Sequence, residues 1–143
     1  MNVEECLAQG LLKKTAPDRG KAARSLELAA HKLELSKREF AAGIYENVVI
    51  SAYTSMFHSA RALLYSDGFK ERSHYALCVF VAERHSGNIE RRYLNELNAL
   101  RMERHELMYG LEERPQVAET EASRVIEIAE GFLESVTLLL SGK

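Results

Sequence analysis

The chain has no tryptophan, and only two prolines and two cysteines among 143 residues. Each scarcity excludes something. Proline lacks a backbone donor and clashes with the preceding turn, so a chain nearly free of it can run in long helices. Cys6 and Cys78 lie far apart with no CxxC spacing. That excludes a framework of disulfides and leaves two reduced, mostly buried thiols as the expectation. No apolar run approaches the ~20 residues of a membrane span; the longest, Val136-Thr137-Leu138-Leu139-Leu140, reads as a helix end. A basic excess is missing too. The net charge is -2 and the pI is near 6.2, which excludes coating nucleic acid through bulk charge but leaves room for a local basic cleft. Met1-Asn2-Val3-Glu4-Glu5 is acidic where a secretory leader is basic, so a cytoplasmic location is expected. The five histidines show no HxxxH or HExxH spacing, and there is no P-loop, GxGxxG or GxSxG. No metal and no other cofactor is therefore expected.

What is present is ordinary for a folded protein: 46% hydrophobic and 28% charged residues. The length suits one domain, taken as residues 1–143, large enough to bury a core without covalent staples. Asn2 can cap a short helix running to about Lys13, and Thr15-Ala16-Pro17-Asp18-Arg19-Gly20 breaks it. From Lys21, Leu26, Ala30, Leu33, Lys37 and Phe40 recur every three or four residues until Gly43. The next helix carries a broad apolar stripe from Tyr45 to Leu64 and small residues Ser51, Ser55 and Ser59 at four-residue spacing. Small residues so spaced let another helix approach closely. Asp67-Gly68 supplies its stop. Ser73 caps a helix of about His74 to His85, Ser86-Gly87-Asn88 turns, and a fifth helix runs from about Ile89 to Tyr109. Gly110 closes it, Pro115 lies beyond, and the last helix begins near Glu119 with Val125, Ala129, Phe132, Val136 and Leu139 inward. No segment alternates like a strand. The expected fold is all-α: an antiparallel up-and-down bundle of about five helices with a short extra N-terminal helix. Tyr53, Phe57, Leu97, Phe132 and Val136 are expected in its core.

The pattern breaks at the end of the fifth helix. Tyr93, Leu97 and Leu100 define a stripe, and Arg104 falls where another leucine belongs. An unpaired buried guanidinium would cost several kcal/mol. Arg104 therefore has a carboxylate partner, or it faces a cleft or subunit interface; the spacing leaves these open. Arg101 and His105 are four apart, as are His105 and Tyr109, so guanidinium, imidazole and phenol share one patch that could bind phosphate or move a proton. Arg104 and Tyr109 are five apart, roughly 140° around an ideal helix, and converge only through a bend, an unwound turn or a second subunit. His58, beside the apolar stripe, reads as a hydrogen-bonded core histidine. Arg61 and Arg72 read as solvated or paired, and His74 as a helix start.

Three stretches carry a resemblance: Gly10-Leu11-Leu12-Lys13-Lys14, Ala52-Tyr53-Thr54-Ser55-Met56-Phe57-His58-Ser59-Ala60-Arg61-Ala62-Leu63-Leu64-Tyr65, and Asp67-Gly68-Phe69-Lys70-Glu71-Arg72-Ser73-His74. They resemble the HEPN family (higher eukaryotes and prokaryotes nucleotide-binding), most of all its short stand-alone prokaryotic members, from about Leu11 to Leu140. The resemblance implies a helical bundle, usually dimeric, and in many members a metal-independent ribonuclease. The family's motif is arginine, a polar residue, three variable residues and histidine. It maps here onto Arg104, His105, Glu106-Leu107-Met108 and Tyr109, so a tyrosine stands in the histidine position. A phenol with pKa near 10 is a poor general base at neutral pH. Several stand-alone members also end the motif in tyrosine. Such members often accompany a small nucleotidyltransferase as a toxin–antitoxin pair, and in some pairs a tyrosine near the motif receives AMP.

By this resemblance Arg104, His105 and Tyr109 are the candidate catalytic residues. Arg101, Arg104 and His105 are the candidate contacts to RNA or nucleotide, and Tyr109 is the candidate AMP acceptor. The expected partners are a second copy of the chain, a small nucleotidyltransferase, and RNA or nucleotide. The alternative is a non-catalytic nucleotide-binding or protein-interaction helical module.

Overall fold

A computed structural model describes residues 1–111 and 116–142. Pro115, expected beyond the fifth helix, lies outside the described residues. The helices are α1 (Val3–Ala8), α2 (Arg19–Ala41), α3 (Tyr45–Asp67), α4 (His74–Arg84), α5 (Arg91–Tyr109) and α6 (Glu119–Ser141). Helices α2 to α6 form the expected all-α, up-and-down bundle, with α1 as the short N-terminal piece.

Local chemistry starts several of these helices. Asn2 and Glu5 form a reciprocal capping box: the Glu5 N–H donates to Asn2 Oδ1 at 2.8 Å, and the Asn2 N–H to Glu5 Oε1 at 3.2 Å. Asp18 accepts from the Lys21 N–H at 2.9 Å to open α2, and Ser73 from the Ala76 N–H at 3.0 Å to open α4.

Two expectations are corrected at the N-terminus. The first helix stops at Ala8 rather than near Lys13, because Gly10 turns the chain at φ +74. The chain then forms a strand, β1 (Leu12–Lys14), antiparallel to β2 (Phe69–Glu71). Three residues are too few to show alternation, so no strand was legible there. Gly68 makes the ribbon's geometry workable. It closes α3 at φ +83, and a Cβ there would lie 2.9 Å from the Thr15 carbonyl.

Helix α3 is the centre of the bundle, packed against α2, α6, α5 and α4. Ser51 and Ser55 line a close seam with α2, and the buried Ser59 bonds back to the Ser55 carbonyl of its own helix. Ser55 Oγ donates to the Ala29 carbonyl on α2 at 2.8 Å, and Ser51 Oγ to Glu39 Oε1 at 2.6 Å. This tight approach explains a further difference. The buried line of α2 is Ala22, Ser25, Ala29, Leu33 and Ser36, whereas Ala30 is exposed and Leu26 and Lys37 are only half-buried. Small residues occupy the seam and larger ones flank it. Tyr53, Phe80, Phe132, Met56 and Leu97 are fully buried, each contributing on the order of 1.5–3 kcal/mol. Val136 is buried as expected, but Phe57 is only half-buried. Both cysteines are free and buried.

Candidate functional site

Arg104 continues the stripe of Tyr93, Leu97 and Leu100 on α5, all three buried. The residue is half-buried, and its guanidinium lies over the Tyr53 ring of α3, 5.7 Å from its centroid. Among the described residues no carboxylate pairs with it. An aromatic face supports the cation while leaving it partly wet.

Around Tyr53 stands a group that the sequence reading dispersed. Tyr53 Oη lies 2.7 Å from His74 Nδ1. The His74 ring stacks on Phe57 with centroids 4.2 Å apart and 20° between planes. The Arg61 guanidinium lies 5.3 Å from the Phe57 centroid and 5.5 Å from that of Tyr65. Its Nε is 2.6 Å from the buried Glu71 carboxylate, so Arg61 is paired, one of its two expected states. Arg101 donates to Asn98 Oδ1 from Nε and Nη2 at 3.2 and 3.1 Å and lies 5.6 Å from the Tyr75 centroid.

The electrostatics follow from this packing. Burial lowers the His74 pKa, and Arg104, Arg101 and Arg61 lower it further. Burial raises that of Tyr53 well above the usual phenol value. Both groups are neutral at physiological pH while three guanidiniums surround them. His58 corrects an expectation. Its buried Nδ1 has no hydrogen-bond partner among the described residues. Burial, then Arg61, Lys32 and His74, push its pKa down to about 4.

The motif residues do not all gather. His105 and Tyr109 meet on the exposed surface of α5, with ring centroids 5.0 Å apart, and Tyr109 is 59% exposed. Arg104 points instead into the seam with α3. Arg101 contacts Asn98 and Tyr75 rather than His105. The residues missed by sequence reading are Tyr53, Phe57 and His74. The first two look like core positions, and His74 follows the Ser73 cap as any first helical residue would. The one legible signal was the four-residue spacing of Tyr53 and Phe57 beside Arg61.

Among the described residues no three His, Cys, Asp or Glu side chains gather as they would around a metal ion, and no helix is long and apolar enough to cross a membrane. The fold thus defines an up-and-down helical-bundle protein with a cationic, aromatic seam between α3, α4 and α5. The chain belongs to the HEPN-domain family, whose model matches residues 22–139. That span holds α3, α4, α5 and every residue of the seam, and leaves α1 and β1 outside it. No curated protein matches the chain.

Proposed function

We propose that this HEPN domain binds the phosphate of a nucleotide or RNA at the seam of α3, α4 and α5, with Arg104 as the anchor. The observation that carries this reading is Arg104 itself. It is half-buried over Tyr53 with no carboxylate partner among the described residues, so its charge is available to an anion. Arg101 adds a second guanidinium beside it. Titration calorimetry with adenosine 5'-monophosphate and with a short RNA tests this. Arg104→Ala should weaken binding at least tenfold while the helical circular dichroism stays intact. Equal affinity of the variant would refute the anchor role.

A ribonuclease toxin is the reading that family resemblance suggests, with Arg104, His105 and Tyr109 as its motif. Within one protomer Arg104 faces Tyr53 while Tyr109 stands exposed beside His105. Cleavage would therefore draw the two halves of the motif from two chains. Exposed Met102, Met108, Tyr109 and Leu111 at this end of α5 favour a homodimer. Tyr109 also supports pairing with a small nucleotidyltransferase, because a phenol 59% exposed on the last turn of α5 is open to another enzyme's active site. Such a transfer would join the Tyr109 oxygen to the α-phosphorus of ATP and release pyrophosphate. Incubation with ATP and a nucleotidyltransferase encoded beside this chain should add one adenylate mass to the parent and none to Tyr109→Phe. Equal mass gain in both forms would remove Tyr109 as acceptor.

A further inference from the structure

Resting on the reading that the seam binds phosphate, we infer that Tyr53 locks His74 as the Nε2–H tautomer, so that His74 donates a neutral hydrogen bond to the phosphate ester held by Arg104 and Arg101. The starting point is the 2.7 Å contact between Tyr53 Oη and His74 Nδ1. Either group could donate across it. Tyr53 is 1% exposed and this is its hydroxyl's one hydrogen bond among the described residues. If Nδ1 donated, the phenolic proton would sit buried with no acceptor. Leaving a lone pair unused costs less than leaving a buried donor unused. The phenol therefore donates, Nδ1 accepts, and the ring proton resides on Nε2.

Four further observations hold the arrangement. Stacking on Phe57 at 4.2 Å and 20° fixes the plane of the imidazole. The surrounding guanidiniums of Arg104, Arg101 and Arg61 oppose a second ring proton. Nε2 makes no hydrogen bond to any described residue, and His74 is half-buried rather than enclosed. His74 is also the first residue of α4, at the end where the helix dipole favours an anion. The ligand chemistry that fits is a phosphate ester: two guanidiniums for its charge and one fixed N–H for a remaining oxygen. In this arrangement His74 cannot take a proton at Nε2, so it is a binding residue rather than a general base.

Two measurements test this. Nitrogen-15 spectra of histidine-labelled protein at pH 7.5 should show His74 with Nε2 protonated and Nδ1 bare, and Tyr53→Phe should mix the two tautomers. A protonated Nδ1 in the parent would overturn the inference. Calorimetry with adenosine 5'-monophosphate then reads the donor. A hydrogen bond to a charged group predicts a ~10–100-fold loss for His74→Leu. His74→Gln, which keeps an N–H near the same place, should stay within about threefold of the parent. If the glutamine variant is folded yet binds as poorly as the leucine variant, a donor is not what His74 supplies and the inference fails. Parent-like binding by His74→Leu, with binding lost in Arg104→Ala, would overturn the role of His74 and leave the phosphate-binding reading standing. No binding by the parent protein would overturn both.

Discussion

Lowering the pH from 7.5 to 5 should destabilise the protein through His58, by an amount that the structure sets. In the fold its pKa is pushed from 6.5 down to about 4, chiefly by burial and then by Arg61, Lys32 and His74. The unfolded chain titrates near 6.5. Between these values the unfolded state binds a proton that the native state refuses, so stability falls as pH falls through 6.5 toward 4. Above pH 7.5 both states are neutral and His58 contributes no slope. The linkage relation with these two values predicts a loss of about 2 kcal/mol at pH 5. Half-exposure of the ring and salt screening of Arg61 and Lys32 bring the expected loss to about 1–2 kcal/mol. Urea denaturation of parent and His58→Gln at both pH values isolates the effect, because carboxylates and the other histidines are common to both. The variant should lose less stability on acidification by that amount. An identical pH dependence in the two proteins would refute the assignment of a neutral, unsatisfied His58.

Gly131 should not tolerate alanine. A Cβ there would collide with the Tyr93 hydroxyl of α5, so overpacking of about 1–3 kcal/mol outweighs the ~1 kcal/mol gain in helix propensity. A raised midpoint of urea denaturation for Gly131→Ala would contradict this. The Cys78 thiol, with its pKa pushed up to about 11 by burial, should react with a soluble disulfide reagent at pH 8 roughly a hundredfold more slowly than a free cysteine. A rate equal to that of the unfolded chain would show that the thiol is accessible.

The helices were legible in the sequence because each carries its own signal. Asn2 and Ser73 cap through neighbouring N–H groups, Gly43 and Gly68 stand at helix ends, and apolar residues recur at the helical period on α3, α5 and α6. The irregular place on α5 was legible as well, since Arg104 interrupts a stripe that can be counted. These are contacts within one or two turns, and local spacing suffices to locate them.

The β1–β2 ribbon was not legible. Its paired residues lie 55 positions or more apart in sequence, and each strand has three residues. On α2 the expected Leu33 is buried, but closeness to α3, not hydrophobicity, selects Ser25, Ala29 and Ser36 over Leu26, Ala30 and Lys37. The cluster at the candidate site has the same origin. Nothing local joins Tyr53 to His74, twenty-one residues on, or either of them to Arg104. Only the packing of α4 and α5 onto one side of α3 turns a core tyrosine, a first helical residue and an interrupting arginine into one set of groups, while the same packing leaves His105 and Tyr109 outside.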